Sequence, residues 1–225
     1  MNWGWIGSNA GLIGTRVLEH VGLSVPPIIL GFLLSIPLGY AASRSKAARS
    51  VLLTLGNIAY TIPSLALLVL VPIIVGASIL NPANVVIGLT VYAVALMVRA
   101  SADAFSSVPR DVAGSATAVG FSPAQRFIAV ELPLAGPVLL AGVRVVSVST
   151  VSLVSVGALI GVDNLGSFFL DAFQRSFFTE AMVGIVAVLF VAAVFDVIIT
   201  TVGRVLMPWN RRPSASRRTS RVLTA

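Results

Sequence analysis

Asp196 and Arg144 are the residues whose setting most demands chemistry, because each lies inside a long apolar run. Asp196 stands about four residues, or ~6 Å of helix, from the centre of the run Ala181–Gly203. Arg144 lies about six residues, or ~9 Å, inside the run Val138–Ile160. A carboxylate at that depth costs several kcal/mol unless it is paired or hydrated. The two depths match, so one reading is an Arg144–Asp196 ion pair; the other is a guanidinium that snorkels to the headgroups. Ser149, Ser152 and Ser155 recur at helical spacing and draw a polar stripe, either lining a wet path or letting helices pack closely. Tyr60 and Tyr92 lie deeper in the runs than Tyr40, which stands near the first run's inner end, and their rings either meet a passing cation or simply pack. Pro63, before Ser64, and Pro72 each remove a backbone donor from the second run. A helix broken at membrane depth is tolerated where it lines a cavity, and a plain kink is the other reading.

Most catalytic chemistry has no parts here. Lys46 is the single lysine and sits in Ser-Arg-Ser-Lys-Ala-Ala without a nearby glycine, so no phosphate-cradling loop can form around it. With one histidine, His20, and no cysteine, zinc sites and histidine-based triads are excluded. Asp196 is the one acid within the runs, which leaves no carboxylate pair for hydrolysis. The expectation is a non-catalytic chain that binds no metal and no cofactor and takes its energy from another polypeptide.

These residues are positioned by membrane spans. The 225 residues are 57% hydrophobic and 10% charged, against about 25% charged in soluble domains. Five runs are long and apolar enough to span: Val21–Ala42, Val51–Ile79, Ala83–Val98, Val138–Ile160 and Ala181–Gly203. The third is short and needs its flanks. With the N-terminus outside, thirteen of the fifteen basic residues fall inside and two, Arg16 and Arg175, outside. The net charge of +7 follows from that asymmetry and calls for no nucleic acid. The expected fold is therefore an all-α polytopic membrane protein with its C-terminus in the cytoplasm. Residues 1–208 form one transmembrane domain, and 209–225 a basic disordered tail that anchors topology or touches anionic lipid. The first ~18 residues read as an interfacial segment, with Trp3 and Trp5 at headgroup depth and no cleavable signal.

The cytoplasmic stretch from about 101 to 137 is the most sharply punctuated part of the chain. Pro109 suits a helix's first turn and Gly120 the left-handed residue that ends it. Ser122-Pro123-x-Gln125 reads as a capping box. Pro133 and Pro137 are expected to close a second short helix. Two short helices thus meet at a glycine elbow between spans. Outside the membrane, Gly161–Glu180 holds Phe168, Phe169, Phe173, Phe177 and Phe178, spaced as an amphipathic surface helix or as residues buried against the spans.

The small residues before Gly120 and the ending Leu132-Pro133 resemble the coupling loop of ABC-importer permeases. TRVLEH (Thr15 to His20), NIAYTIPSLALLVLVP (Asn57 to Pro72), VRAS (Val98 to Ser101), VELPLAGPVLLAGVR (Val130 to Arg144) and ALIGVDNLG (Ala158 to Gly166) resemble the osmoprotectant branch. Those permeases serve glycine betaine, choline, carnitine and related compounds, and the likeness runs from roughly Thr15 to Pro208. The resemblance implies a type I importer architecture in the cell membrane. It implies two copies of a cytoplasmic ATPase carrying ATP and magnesium, a second permease copy or homologue, an extracytoplasmic substrate-binding protein, and contact with lipid. The loop residues carried over are Gly114, Ser115, Ala116, Gly120, Phe121, Ser122, Pro123, Arg126, Phe127, Glu131, Leu132 and Pro133. Phe121 and Phe127 would fill an apolar groove on the ATPase, with Arg126 and Glu131 pairing to it at the rim. Family loops usually open Glu-Ala-Ala, whereas Gly114-Ser115-Ala116 stand here. An amino-acid permease is the rival within the class. A self-sufficient secondary transporter would need internal repeats and ion ligands that are not visible.

Overall fold

A computed structural model describes residues 1–210, and every element in it is helical. The short α1 (Trp3–Ser8) precedes α2 (Ala10–Arg44), which runs 35 residues without interruption. The first span is thus longer than its apolar run, because Ala10–His20 joins the same helix in place of an interfacial segment. Trp5 packs edge-on against Phe168 and Phe177, with ring centroids 6.3 and 5.6 Å away, which draws the N-terminus onto the bundle. Of the two N-terminal tryptophans, Trp3 stays exposed. Helix α2 keeps Pro26, Pro27 and Pro37 in its interior. Neighbouring helices and local hydroxyl bonds make such prolines tolerable in membranes.

The second run divides into α3 (Lys46–Thr61) and α4 (Ser64–Val75), bent by 102°. Ile62 and Pro63 are extended at the break. Pro72 stays inside α4, which ends at the left-handed Gly76, so only Pro63 breaks the run. Helix α5 (Pro82–Ser106) reaches 25 residues, because Arg99–Ser106 continues the short third run into the cytoplasm. Among the described residues, four helical stretches are long and apolar enough to cross a membrane. The bent pair supplies a fifth if it counts as one span.

Close packing of α2 on α5 forms the centre of the bundle. A Cβ on Gly31 would lie 2.5 Å from that of Ala93, and one on Gly39 would lie 2.2 Å from that of Ser101. Between them the Ser35 and Ser101 hydroxyls meet at 3.2 Å. Gly31, Ser35 and Gly39 thus form a small-residue ridge, spaced by four, that brings two backbones together. Met97, Leu139 and Val146 join Ala93 in a core shared with α8 (Leu132–Val154), while Leu68, Leu89 and Val154 build a second core around α4.

After α5 the chain makes α6 (Arg110–Ala118) and α7 (Pro123–Arg126). The expectation that Pro133 and Pro137 close a second short helix is overturned. Helical backbone continues from Pro123 to Ile160, through a π-helical turn at Phe127–Glu131 and a final 3-10 segment at Ser155–Ile160. The π turn is the reason: the Leu132 N–H reaches back to the Phe127 carbonyl, a register that accommodates the missing donor of Pro133. An α9 (Ser167–Arg175) and the long α10 (Phe178–Leu206) complete the fold. Of the expected basic tail, residues 211–225 lie outside the described residues.

Candidate functional site

The elbow is built from local backbone chemistry. The Phe121 N–H reaches the Ala116 carbonyl at 3.1 Å and the Gly120 N–H that of Thr117 at 3.1 Å, a full Schellman closure of α6. It requires the left-handed conformation that Gly120 adopts at φ +93°. One residue later Ser122 Oγ accepts from the Gln125 N–H, while Gln125 Oε1 accepts from the Ser122 N–H at 2.9 Å. This reciprocal capping box starts α7, with Pro123 in its first turn. Arg126 Nη1 then donates to Thr117 Oγ1 at 2.9 Å, tying the second limb back to the first. Val119, Phe121, Ala124, Gln125 and Ile128 line an open groove around Gly120. Val119 is 75% and Ile128 64% exposed, an unusual apolar display on a polar loop. Ala116 is buried, whereas the Gly114 and Gly120 positions have open space where a Cβ would stand.

Glu131 does not face a partner's rim. It is 3% exposed and holds two arginines on one oxygen, with Arg44 Nη2 at 2.5 Å and Arg126 Nε at 2.9 Å. The π turn directs it inward, toward the inner end of α2. Arg44 also donates to Tyr40 Oη at 2.8 Å and lies over that ring, 4.7 Å from its centroid. Phe127 likewise turns inward: its ring sits 4.7 Å from Tyr40 and 5.6 Å from Phe105. Of the two expected aromatic anchors only Phe121 remains on the groove. Arg126 and Glu131 pair internally because a carboxylate this buried needs its counter-charges within the protein. Sequence reasoning missed Arg44 as the partner; the signal available was a cation at the very end of an apolar run, one helical turn beyond Tyr40.

Arg144 and Asp196 form a bidentate pair, Nε to Oδ1 at 2.6 Å and Nη2 to Oδ2 at 2.9 Å, joining α8 to α10. Of the two readings of Arg144, the structure shows the ion pair. Both side chains stay partly exposed, and Val145, Val148 and Ser152 near Arg144 on α8 are exposed as well. Ser149 is half-buried and Ser152 exposed. The remaining pathway candidates cluster at the break in the second span. Tyr92 is 3% exposed and donates to the Ile62 carbonyl, which pins the break and removes Tyr92 from contact with a solute. Tyr60 stands edge-on to Tyr92 at 5.6 Å, is 45% exposed, and lies near the exposed Pro63 and half-buried Ser64.

At the opposite end of the bundle, His20 is fully buried, its Nε2 2.9 Å from the Val151 carbonyl. That carbonyl sits where α8 gives way to the 3-10 turn. Arg16 bridges Glu19 and Asp163 at 2.8 and 2.7 Å. Phe168 buries against the spans while Phe173 is 87% exposed, so α9 combines both readings of its aromatic spacing. No group of metal-binding side chains occurs among the described residues.

Comparison with known proteins follows the same outline. The chain is 29% identical over 204 residues to the choline transport system permease protein OpuBB of Bacillus subtilis (strain 168), covering 89% of this chain and 91% of that one. It is 29% identical over 196 residues to the glycine betaine/proline betaine transport system permease protein ProW of Escherichia coli (strain K12), covering 86% and 54%. The ergothioneine transport permease/ergothioneine binding protein EgtU of Helicobacter pylori (strain G27) is 33% identical over 171 residues, covering 75% and 30%. In fold it superimposes on the inward-facing MetNI methionine ABC transporter with a TM-score of 0.70, at 22% identity over 90% of this chain and 98% of that one. An amino acid ABC transporter with histidines gives a TM-score of 0.70 at 13% identity, covering 93% and 99%. Residues 28–212 match the family described as binding-protein-dependent transport system inner membrane component. The chain belongs to that family, as a multi-pass inner-membrane permease component of an ABC importer.

Proposed function

We propose that this permease carries compatible solutes bearing a quaternary ammonium group, such as glycine betaine, choline, carnitine or proline betaine. It would do so with two copies of a cytoplasmic ATPase, a second permease copy or homologue, and an extracytoplasmic binding protein. ATP and magnesium are held by the ATPase, and this chain performs no hydrolysis and binds no cofactor itself. The observation that carries the mechanism is the elbow. A Schellman closure and a capping box hold two helical limbs rigid around Gly120, and exposed Val119, Phe121 and Ile128 offer an apolar surface to an ATPase groove. Motion of the elbow passes into the fourth span without a joint, because helix runs from Pro123 to Ile160. The substrate class rests on relatives whose names state choline, glycine betaine or osmoprotectant transport, aligned over most of this chain. An amino-acid substrate is supported by fold likeness alone. The test is affinity purification in mild detergent after expression from the native locus, with mass spectrometry of what accompanies the chain. An ATPase and a binding protein that takes up choline, glycine betaine or ergothioneine support the reading. A binding protein specific for an ordinary amino acid contradicts the substrate class, and a chain that purifies alone contradicts the assembly.

A further inference from the structure

Two of the helices around the elbow are joined to it covalently. Helix α5 leads into it and α8 continues out of it. Helix α2 has no such connection: Arg44 is 87 positions from Glu131 along the chain. It nevertheless ends on the elbow's root. Arg44 meets the buried Glu131 carboxylate at 2.5 Å, and Tyr40 packs edge-on against Phe127 and Phe105 at 4.7 and 5.3 Å. The same carboxylate receives Arg126, whose other arm holds Thr117 on the first limb. The polar links therefore run unbroken from α6 through Arg126 and Glu131 to the last turn of α2. Further along, α2 is locked to α5 at Gly31, Ser35 and Gly39, so a displacement of its inner end cannot be absorbed by sliding.

We infer that Arg44 is a positioning residue for transport: through the shared Glu131 carboxylate it makes the first span follow the elbow. This rests on the coupling role proposed above. Removing Arg44 leaves Glu131 still paired with Arg126, and it leaves the Schellman closure, the capping box and the apolar groove untouched. Those features are made by other residues. The elbow keeps its shape and its grip on the ATPase, while its link to α2 is cut. The expected phenotype is loss of coupling rather than loss of assembly.

The test uses the complete transporter in proteoliposomes, with binding protein inside the assay and radiolabelled choline or glycine betaine as solute. Three quantities are read: ATPase retained on the tagged permease, ATP hydrolysed, and solute taken up. Arg44→Gln should retain ATPase at the wild-type ratio and hydrolyse ATP within about twofold of wild type, while solute moved per ATP falls about tenfold, inside the usual range of allosteric coupling. Arg44→Lys, which keeps the charge and one donor, should recover most of that loss. The double variant Arg44→Gln/Glu131→Gln should couple no worse than the weaker single variant, because both act on one link. Hydrolysis and uptake falling in proportion with ATPase loss would show that Arg44 only holds the complex together and would overturn the inference. Unchanged uptake per ATP in Arg44→Gln, or losses that multiply in the double variant, would overturn it equally. A wild-type chain that binds no ATPase would instead remove the coupling role itself, an outcome seen before any variant is made.

Discussion

Gly120 is where the shape of the elbow can be separated from its surface. Its φ of +93° lies in the left-handed half of backbone space, and a Cβ there would meet nothing within 4 Å in this chain. A side chain at 120 is therefore penalised by backbone conformation and not by crowding within the protein. That penalty is about 1–2 kcal/mol for an ordinary L-residue. It reaches ~2–3 kcal/mol for a β-branched one. Asparagine tolerates the region because its short amide bonds locally. Since the Schellman bonds depend on this one residue, the cost falls on the population of the closed elbow and hence on ATPase affinity. Alanine should weaken ATPase binding about 5–30-fold and valine about 30–150-fold, at tenfold per 1.4 kcal/mol. Asparagine should stay within a few-fold of wild type. The assay is titration of purified ATPase against the permease in nanodiscs, with melting temperature measured in parallel. Melting should barely move, because α6 and α7 contribute no residue to the bundle's cores. The order Gly, Asn, Ala, Val supports the conformational argument. If Asn is worse than Ala, side-chain bulk against the ATPase decides instead and the reasoning fails.

Other perturbations bear on the bundle and its charges. Gly39→Ala would place a Cβ 2.2 Å from that of Ser101 and 2.7 Å from its carbonyl carbon, forcing α2 and α5 apart. Overpacking of this kind costs about 1–3 kcal/mol, so melting in detergent should fall by several degrees while Gly22→Ala, with open space around it, does not. Reversing either Arg144 or Asp196 alone should depress assembly or uptake, and the double reversal should restore much of it; if it does not, the bidentate pair has no role of its own. Ser122→Ala removes one half of the capping box, a loss of about 1 kcal/mol, and should weaken ATPase binding about fivefold without lowering the melting temperature.

The parts of this molecule that could be read from sequence are those determined by neighbours in the chain. Gly120 and Ser122-Pro123-x-Gln125 specify their own turn and cap within the ten residues 116–125, and the structure places both as the local chemistry requires. The apolar runs likewise locate the spans, because each needs only its own composition. What escaped reading depends on distant partners or on how proline is accommodated. Glu131 looks like a surface charge until Arg44, far earlier in the chain, closes on it. Pro133 looks like a terminator until a π turn absorbs its missing donor. The outer end of α2 and the inner end of α5 extend past their apolar runs because packing, not hydropathy, carries them on. The ridge of Gly31, Ser35 and Gly39 also escaped reading, because only the structure shows that Ala93 and Ser101 approach it. Tyr92 illustrates the limit: its type fits a cation site, yet its hydroxyl is committed to the Ile62 carbonyl.

ATP dependence of uptake is the most direct measurement. The permease is reconstituted with its ATPase and binding protein in sealed vesicles, and labelled choline or glycine betaine is supplied on the binding-protein side. Accumulation that requires enclosed ATP, and stops when a non-hydrolysable analogue replaces it, is the predicted result. Accumulation by the permease alone, driven by an ion gradient without ATP, would contradict it.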